Sequence, residues 1–426
     1  FVTSPLGWRP SPREARQSPT YPPGLPMLMA VPHAIAGIDG ASFLVIALAM
    51  VAIAATAAIA FRLAGATAGI VAAMLIAFTP IFIHQSIQPM SDVPVTAAWM
   101  VCFFCAMTGR SIAAGVACAI AVLIRPNLAP LAIVPLFAVE RRVAFAIPVA
   151  IAAAVLAMLQ GLWYGSPLRS GYGSTDELFA WSNIAGNAPR YLSWFLSTAP
   201  VLAVGVLGII RTRADRAARA LALFAALVIA AYLVYAVFDE WSYLRFLLPA
   251  IAVLAVLASI ELAWWIDRSP MVMRPVLLFI VGAAATTCSM WWMHRADTFD
   301  LADHLRRVSQ VAAVVAERTP PQSAIVSGEQ SGAMRYYTHR SIIRWEAATA
   351  PAMTDAIALL QKTHRPVYVV LDAWEEGPFR NKLGAALSLD WPPMLDAGSS
   401  HRTRVWALAD RDRFRNGEHV DTVRIP

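Results

Sequence analysis

Ser91 and Asp92 lie in the string IHQSIQPMSDVP at 83–94, where one long apolar run ends and another begins. Apolar stretches at 65–82 and 93–107 flank it. The Asp92 carboxylate is therefore expected at the rim of a bilayer, where an ionisable group is costly and points first to function. A carboxylate there can take a proton from a hydroxyl or hold a divalent cation, and Asp92 is the candidate for both. The plainer reading is a solvated turn in which Asp92 only caps the next helix, with Pro94 in its first turn. More polar groups are expected on the same side: Tyr21, His84, Gln85, Gln88, Tyr172, Asp176, Glu177, Asp239, Glu240, Tyr243 and Arg245. Arg125 and Asn127 join them if the break around Pro126 reaches that far. Acids with Tyr and Arg at a membrane rim suit a substrate that is half lipid and half phosphate-linked polar group, the arginines clamping phosphate. A buried Arg125 at a helix break needs a partner, and phosphate or Asp are the available kinds. Asp239, Glu240 and Trp241 also fit an ordinary interfacial belt, and Asp176 with Glu177 fits an exposed loop.

Composition says what must position these groups. Of 426 residues, 58% are hydrophobic and 14% charged, and the mean hydropathy is +0.57. That balance excludes an ordinary soluble domain and describes a polytopic membrane protein. Residues 1–293 carry 17 basic and 11 acidic side chains, whereas 294–426 carry 17 and 16. A charged α/β domain thus follows a greasy helical one, and the basic excess belongs to membrane loops rather than to nucleic-acid binding. Cys102, Cys105, Cys118 and Cys288 fall inside apolar segments and read as small core residues.

Residues 1–24 are rich in Pro, Arg and Ser and read as an irregular loop. Residues 25–37 cover half a span, as an interfacial helix would. Spans follow at 41–61, 65–84, 93–107, 143–164, 191–210, 218–238, 244–265 and 273–293, with a helical hairpin at 111–124 and 126–139 that enters and leaves on one side. Arg62, Arg110, Arg141, Arg142, Arg211, Arg213, Arg216, Arg219, Arg268 and Arg274 share one set of connections, which the positive-inside rule makes cytoplasmic. From 294 onward, helices at 300–317, 353–362 and 375–387 alternate with strands at 324–327, 341–344 and 367–371, and 405–408 would add an edge strand. The loop at 328–332 lacks the Lys of a P-loop. The domains expected are 1–40, the remainder of a first external loop with its interfacial helix; 41–293, the transmembrane part; and 294–426, an extracytoplasmic α/β domain.

The strings SPTYPPG at 18–24, QPMSDVP at 88–94, LIRPN at 123–127, YGSPLRSGYG at 164–173 and YLRFLLP at 243–249, taken in order, resemble bacterial membrane glycosyltransferases of the GT-C superfamily. The resemblance is to the group similar to protein O-mannosyltransferases, and residues 345–391 are similar to the soluble tail of such proteins. It implies a GT-C helical bundle in the bacterial inner membrane, with its tail on the periplasmic side. The implied activity is inverting transfer of a sugar from a polyprenyl-phosphate carrier to a glycan, lipid or protein acceptor. It also implies a principal catalytic acid in a first external loop after a first helix. Because residue 1 already lies late in that loop, that helix and acid are expected to be missing and this chain inactive. Asp92 matches a second acidic position of the superfamily. Tyr21 stands where lipid A sugar transferases carry a Lys before Pro-Pro. The implied substrate-binding set is Tyr21, Gln88, Ser91, Arg125, Asn127, Tyr172, Asp239, Glu240 and Arg245. Two other classes compete: a transporter or flippase, which would show inverted repeats with paired broken helices, and a receptor using the α/β tail to bind a ligand.

Overall fold

The computed structural model of the chain describes residues 3–11, 16–398 and 402–425. It contains two compact units, Pro22–Thr298 and a second made of Phe1–Tyr21 with Phe299–Pro426. The protein is a mainly helical, multi-pass membrane protein with a small C-terminal α/β part.

In the helical unit, α1 (Gly24–Ala77) is 54 residues long but not straight. Gly37 (φ 60°) and Gly65 (φ 84°) adopt backbone angles that only glycine takes freely, and the chain doubles back there. A methyl placed on Gly69 would meet the Ala57 carbonyl at 3.2 Å, a contact that no straight helix allows twelve residues apart. The helices α2 (Pro80–Ser86), α3 (Asp92–Met107), α4 (Ser111–Ile124), α5 (Ile133–Ala138) and α6 (Arg142–Tyr164) follow. Next come α7 (Thr175–Leu178), α8 (Asn183–Thr198), α9 (Gly205–Arg211), α10 (Arg216–Leu233), α11 (Leu248–Arg268) and α12 (Arg274–Arg295). Among the described residues, five helical segments are long and apolar enough to cross a membrane. The span expected at 191–210 is instead bent by 107° between α8 and the segment Pro200–Arg211, because Pro200 cannot continue the α8 hydrogen bonding. Buried α11 is the central element, packing along α1, α9 and α10.

Contacts between helix ends sort the connections into two ends of the bundle. Arg62 donates to Met107 O at 3.4 Å, Arg141 N to Ser111 Oγ at 3.2 Å, Arg216 to Phe137 O at 2.8 Å and Thr67 to Asp267 at 2.7 Å. Those residues form a basic end. Asp92, Arg125 and Tyr232 meet at the opposite end, at the other termini of the same helices.

In the second unit, helix α13 (Leu301–Arg318) precedes a six-stranded sheet. The short hairpin β1 (Trp8–Pro10) with β2 (Gln17–Pro19) belongs to this unit, and Leu6 N donates to Ser331 Oγ at 2.9 Å. Of the irregular loop expected at 1–24, residues 1, 2 and 12–15 lie outside the described residues. The sheet runs β3 (Ala324–Ser327), β4 (Ser341–Arg344), β5 (Val367–Asp372), β6 (Leu395–Ala397), β7 (Thr403–Ala407) and β8 (Val423–Ile425) in chain order, and β4-β3-β5-β7-β6-β8 in space. The strand expected at the edge near 405–408 is therefore central: β7 pairs antiparallel with both β5 and β6. The two strands beyond it, β6 and then β8, have three residues each, too short to carry a periodic signal. Helices α14 (Ser331–Thr338), α15 (Ala350–Lys362), α16 (Ala373–Leu383) and α17 (Leu408–Arg415) cover the faces.

Candidate functional site

Pro126 fixes the local geometry on which the site depends. A residue before proline is pushed out of the helical region, and Arg125 accordingly ends α4 at φ −135°, ψ 86°. The chain then turns through the short helix Pro126–Ala132 and runs back as α5. This hairpin enters and leaves at the basic end, and its tip carries Arg125 and Asn127 to the opposite end. Gly24 holds the tip closely: a methyl there would lie 2.4 Å from Ile124 N.

At the tip the Arg125 guanidinium forms an ion pair with the buried Asp92 carboxylate. Arg125 also donates to Ser91 Oγ at 3.2 Å and to the Tyr232 hydroxyl at 2.7 Å, while Asn127 donates to that hydroxyl at 2.9 Å. Ser91, not Asp92, is the N-cap residue of α3, and its side chain makes no capping hydrogen bond. The plainer reading of Asp92 as a helix cap is thus corrected: its carboxylate turns to Arg125 instead. Tyr232 stacks on Phe246 with ring centres 5.0 Å apart. Asn187 closes the end of α10 by donating to the carbonyls of Tyr232, Leu233 and Tyr235.

A second guanidinium lies beside the first. Arg125 and Arg245 both sit near the Phe246 ring, at 5.0 and 5.4 Å from its centre, and Arg245 lies 4.8 Å from Tyr243. Phe238 stacks on Tyr243 at 3.9 Å and completes the aromatic wall. Arg125 is neutralised by Asp92. Arg245 forms no ion pair among the described residues, and its Nε is buried without a hydrogen-bond partner. Both amide atoms of buried Gln85 are also unpartnered. A partly buried arginine of this kind, held against aromatic faces, is suited to a planar anion such as phosphate.

The other candidates are dispersed. Gln88 donates back to His84 O at 3.0 Å, and His84 contacts Thr298 Oγ at 3.2 Å. Tyr172 is half exposed, within electrostatic reach of Arg125. Asp239 pairs with Arg190 at 2.6 Å on the surface, as the interfacial-belt reading expects, and Glu240 is exposed beside it. Tyr21 belongs to the other unit. Tyr232, Phe246 and Asn187 were not legible as site residues, since inside apolar or mixed runs they look like ordinary helix positions. Among the described residues no three His, Cys, Asp or Glu gather as metal ligands. The Asp92 carboxylate, the candidate for a cation, is held by the Arg125 guanidinium.

No family model matches the chain, and no curated protein matches it in sequence. Two crystal structures of ArnT from Cupriavidus metallidurans are similar in fold. The one bound to undecaprenyl phosphate aligns at a TM-score of 0.63 and 12% identity over 91% of this chain and 88% of that one. The apo state aligns at 0.59 and 14% identity over 91% and 87%. At such identities the likeness establishes a GT-C-like fold and nothing finer.

Proposed function

We propose that this chain is a membrane glycosyltransferase domain that binds a polyprenyl-phosphate-linked sugar at the Arg125 and Arg245 end. The observation that carries the reading is Arg245, an arginine without a carboxylate partner among the described residues, beside the Arg125–Asp92 pair. The GT-C-like fold supports it, and so does the bound undecaprenyl phosphate of one similar ArnT structure. In the proposed reaction an acceptor hydroxyl attacks the anomeric carbon, the C–O bond to phosphate breaks, the carrier phosphate leaves with the bonding electron pair, and that phosphate takes up the proton the hydroxyl gives off. Arg245 stabilises the charge that develops there, an interaction that strengthens in the transition state. Asp92 holds the Arg125 guanidinium against Ser91 and Tyr232, so that the second positive charge has a fixed position. Gln88, Asn127 and Tyr172 border the sugar, with Asp239 and Glu240 at the outer rim. The acceptor is a glycan, lipid or protein on the side of this end, and the basic end faces the cytoplasm of a bacterial inner membrane.

Direct binding of undecaprenyl phosphate tests this. Arg245→Gln should weaken binding at least tenfold and Arg245→Lys less, because Lys keeps the charge but loses the planar fork. Unchanged affinity in Arg245→Gln would discard the reading.

A further inference from the structure

At the basic end, far from the site above, a groove of about 790 Å³ opens where α5 passes into α6 and the start of α10 comes alongside. Its polar lining is Arg141, Arg142, Arg216 and Glu140, three guanidiniums against one carboxylate. All four side chains are exposed, and none of the three arginines forms an ion pair among the described residues. They are nevertheless placed. Arg216 is anchored through Phe137 O, Arg142 lies 5.2 Å from the Phe137 ring, and the Arg141 backbone is tied to Ser111.

The groove does not end in solvent on all sides. Val143 and Ile147 line it, and with Ile151 they form one stripe of α6 at a spacing of four residues. These side chains are 74%, 55% and 59% exposed. In a membrane helix such a stripe faces acyl chains. A phosphate-sized anion seated among the arginines would therefore have hydrocarbon directly below it, an arrangement that suits an amphiphile and not a free ion.

We propose that this groove binds the phosphate headgroup of an anionic membrane phospholipid, whose acyl chains lie along Val143, Ile147 and Ile151. Charge complementarity selects the headgroup, and the arginines act at the interface where basic pockets attract anionic lipid. The site requires neither the sugar donor nor the Arg245 end.

Native mass spectrometry of the full chain in detergent, titrated with phosphatidylglycerol or phosphatidylcholine, measures the preference. Phosphatidylglycerol should bind at least tenfold more tightly, and the Arg141→Gln/Arg142→Gln/Arg216→Gln variant should lose that preference while Arg245→Gln keeps it. Equal binding of both lipids, or a preference that survives the triple change, overturns the proposal. Glycerol phosphate should compete poorly; competition equal to that of the lipid would identify a soluble-phosphate site instead. If the triple variant does not fold, the wild-type chain still decides. A phosphatidylglycerol with a photoreactive group in its acyl chain should label the peptide containing Val143 and Ile147, and labelling elsewhere refutes the placement.

Discussion

Arg125 carries a charge that hydrocarbon would expel, and one carboxylate makes it tolerable. The pair is buried on both sides, so each partner depends on the other more than the fold depends on the pair. Asp92→Asn should cost about 3–5 kcal/mol, because Arg125 is left charged, buried and uncompensated. The double variant Asp92→Asn/Arg125→Gln should recover part of that loss. Thermal unfolding in detergent checks both, and a single variant as stable as wild type would remove the ion pair from the account. The sequence singled out Asp92, Ser91, Arg125 and Asn127 because charge and proline stand out within apolar runs. It did not pair Asp92 with Arg125, since thirty-three positions separate them and only the return of α4 beside α3 joins them. Tyr232 escaped notice altogether, because a tyrosine in an apolar helix reads as interfacial packing.

Among the elements, α16 shows how a local cap can depend on distant partners. Asp372 and Glu375 form a capping box, and the Glu375 carboxylate also accepts from Trp345 Nε1 at 2.9 Å and from Glu329 N at 3.1 Å. Burial pushes the Glu375 carboxyl up from the ordinary value of 4.5, and these hydrogen bonds only partly restrain it. A raised folded-state pKa in an acid means that its stabilising contribution is complete below the unfolded value and is lost as pH rises through the folded one. The β5 and α16 segment should therefore show its strongest protection from hydrogen exchange near pH 4, after correction for intrinsic rates, and lose some of it towards neutrality. Glu375→Gln should flatten that dependence. The same slope in both proteins would remove Glu375 as its source. The helical unit has its own overlooked element: the bend at Pro200 lay within a run read as one span, because apolar composition, which reports burial in lipid and not direction, outweighed the proline.

For the molecule as a whole, the arginines of the basic end and the polar cluster of the other set an orientation. With the native cysteines replaced, Leu168→Cys should react with an impermeant thiol reagent in intact spheroplasts, and Ala214→Cys only after lysis. Leu168 is 86% exposed in the loop after α6, and Ala214 is exposed in the arginine-rich turn before α10. The reverse pattern would place the Arg245 end in the cytoplasm and remove lipid-linked sugar transfer outside the cell from consideration.

By itself the sequence determined the membrane class, most helical segments, the reversals near Gly37 and Gly65 and the α/β character of the tail. These follow from hydropathy, helix periodicity and the backbone limits of glycine and proline, which act over a few residues. Tertiary structure alone decided that Asp92 belongs to Arg125, that Arg245 has no such partner among the described residues, and that β7 lies inside the sheet. It also set Arg216 beside Arg141 and Arg142. Each of these is a contact between distant parts of the chain. Such contacts depend on which helix ends and strands pack side by side, and a one-dimensional pattern does not carry that information.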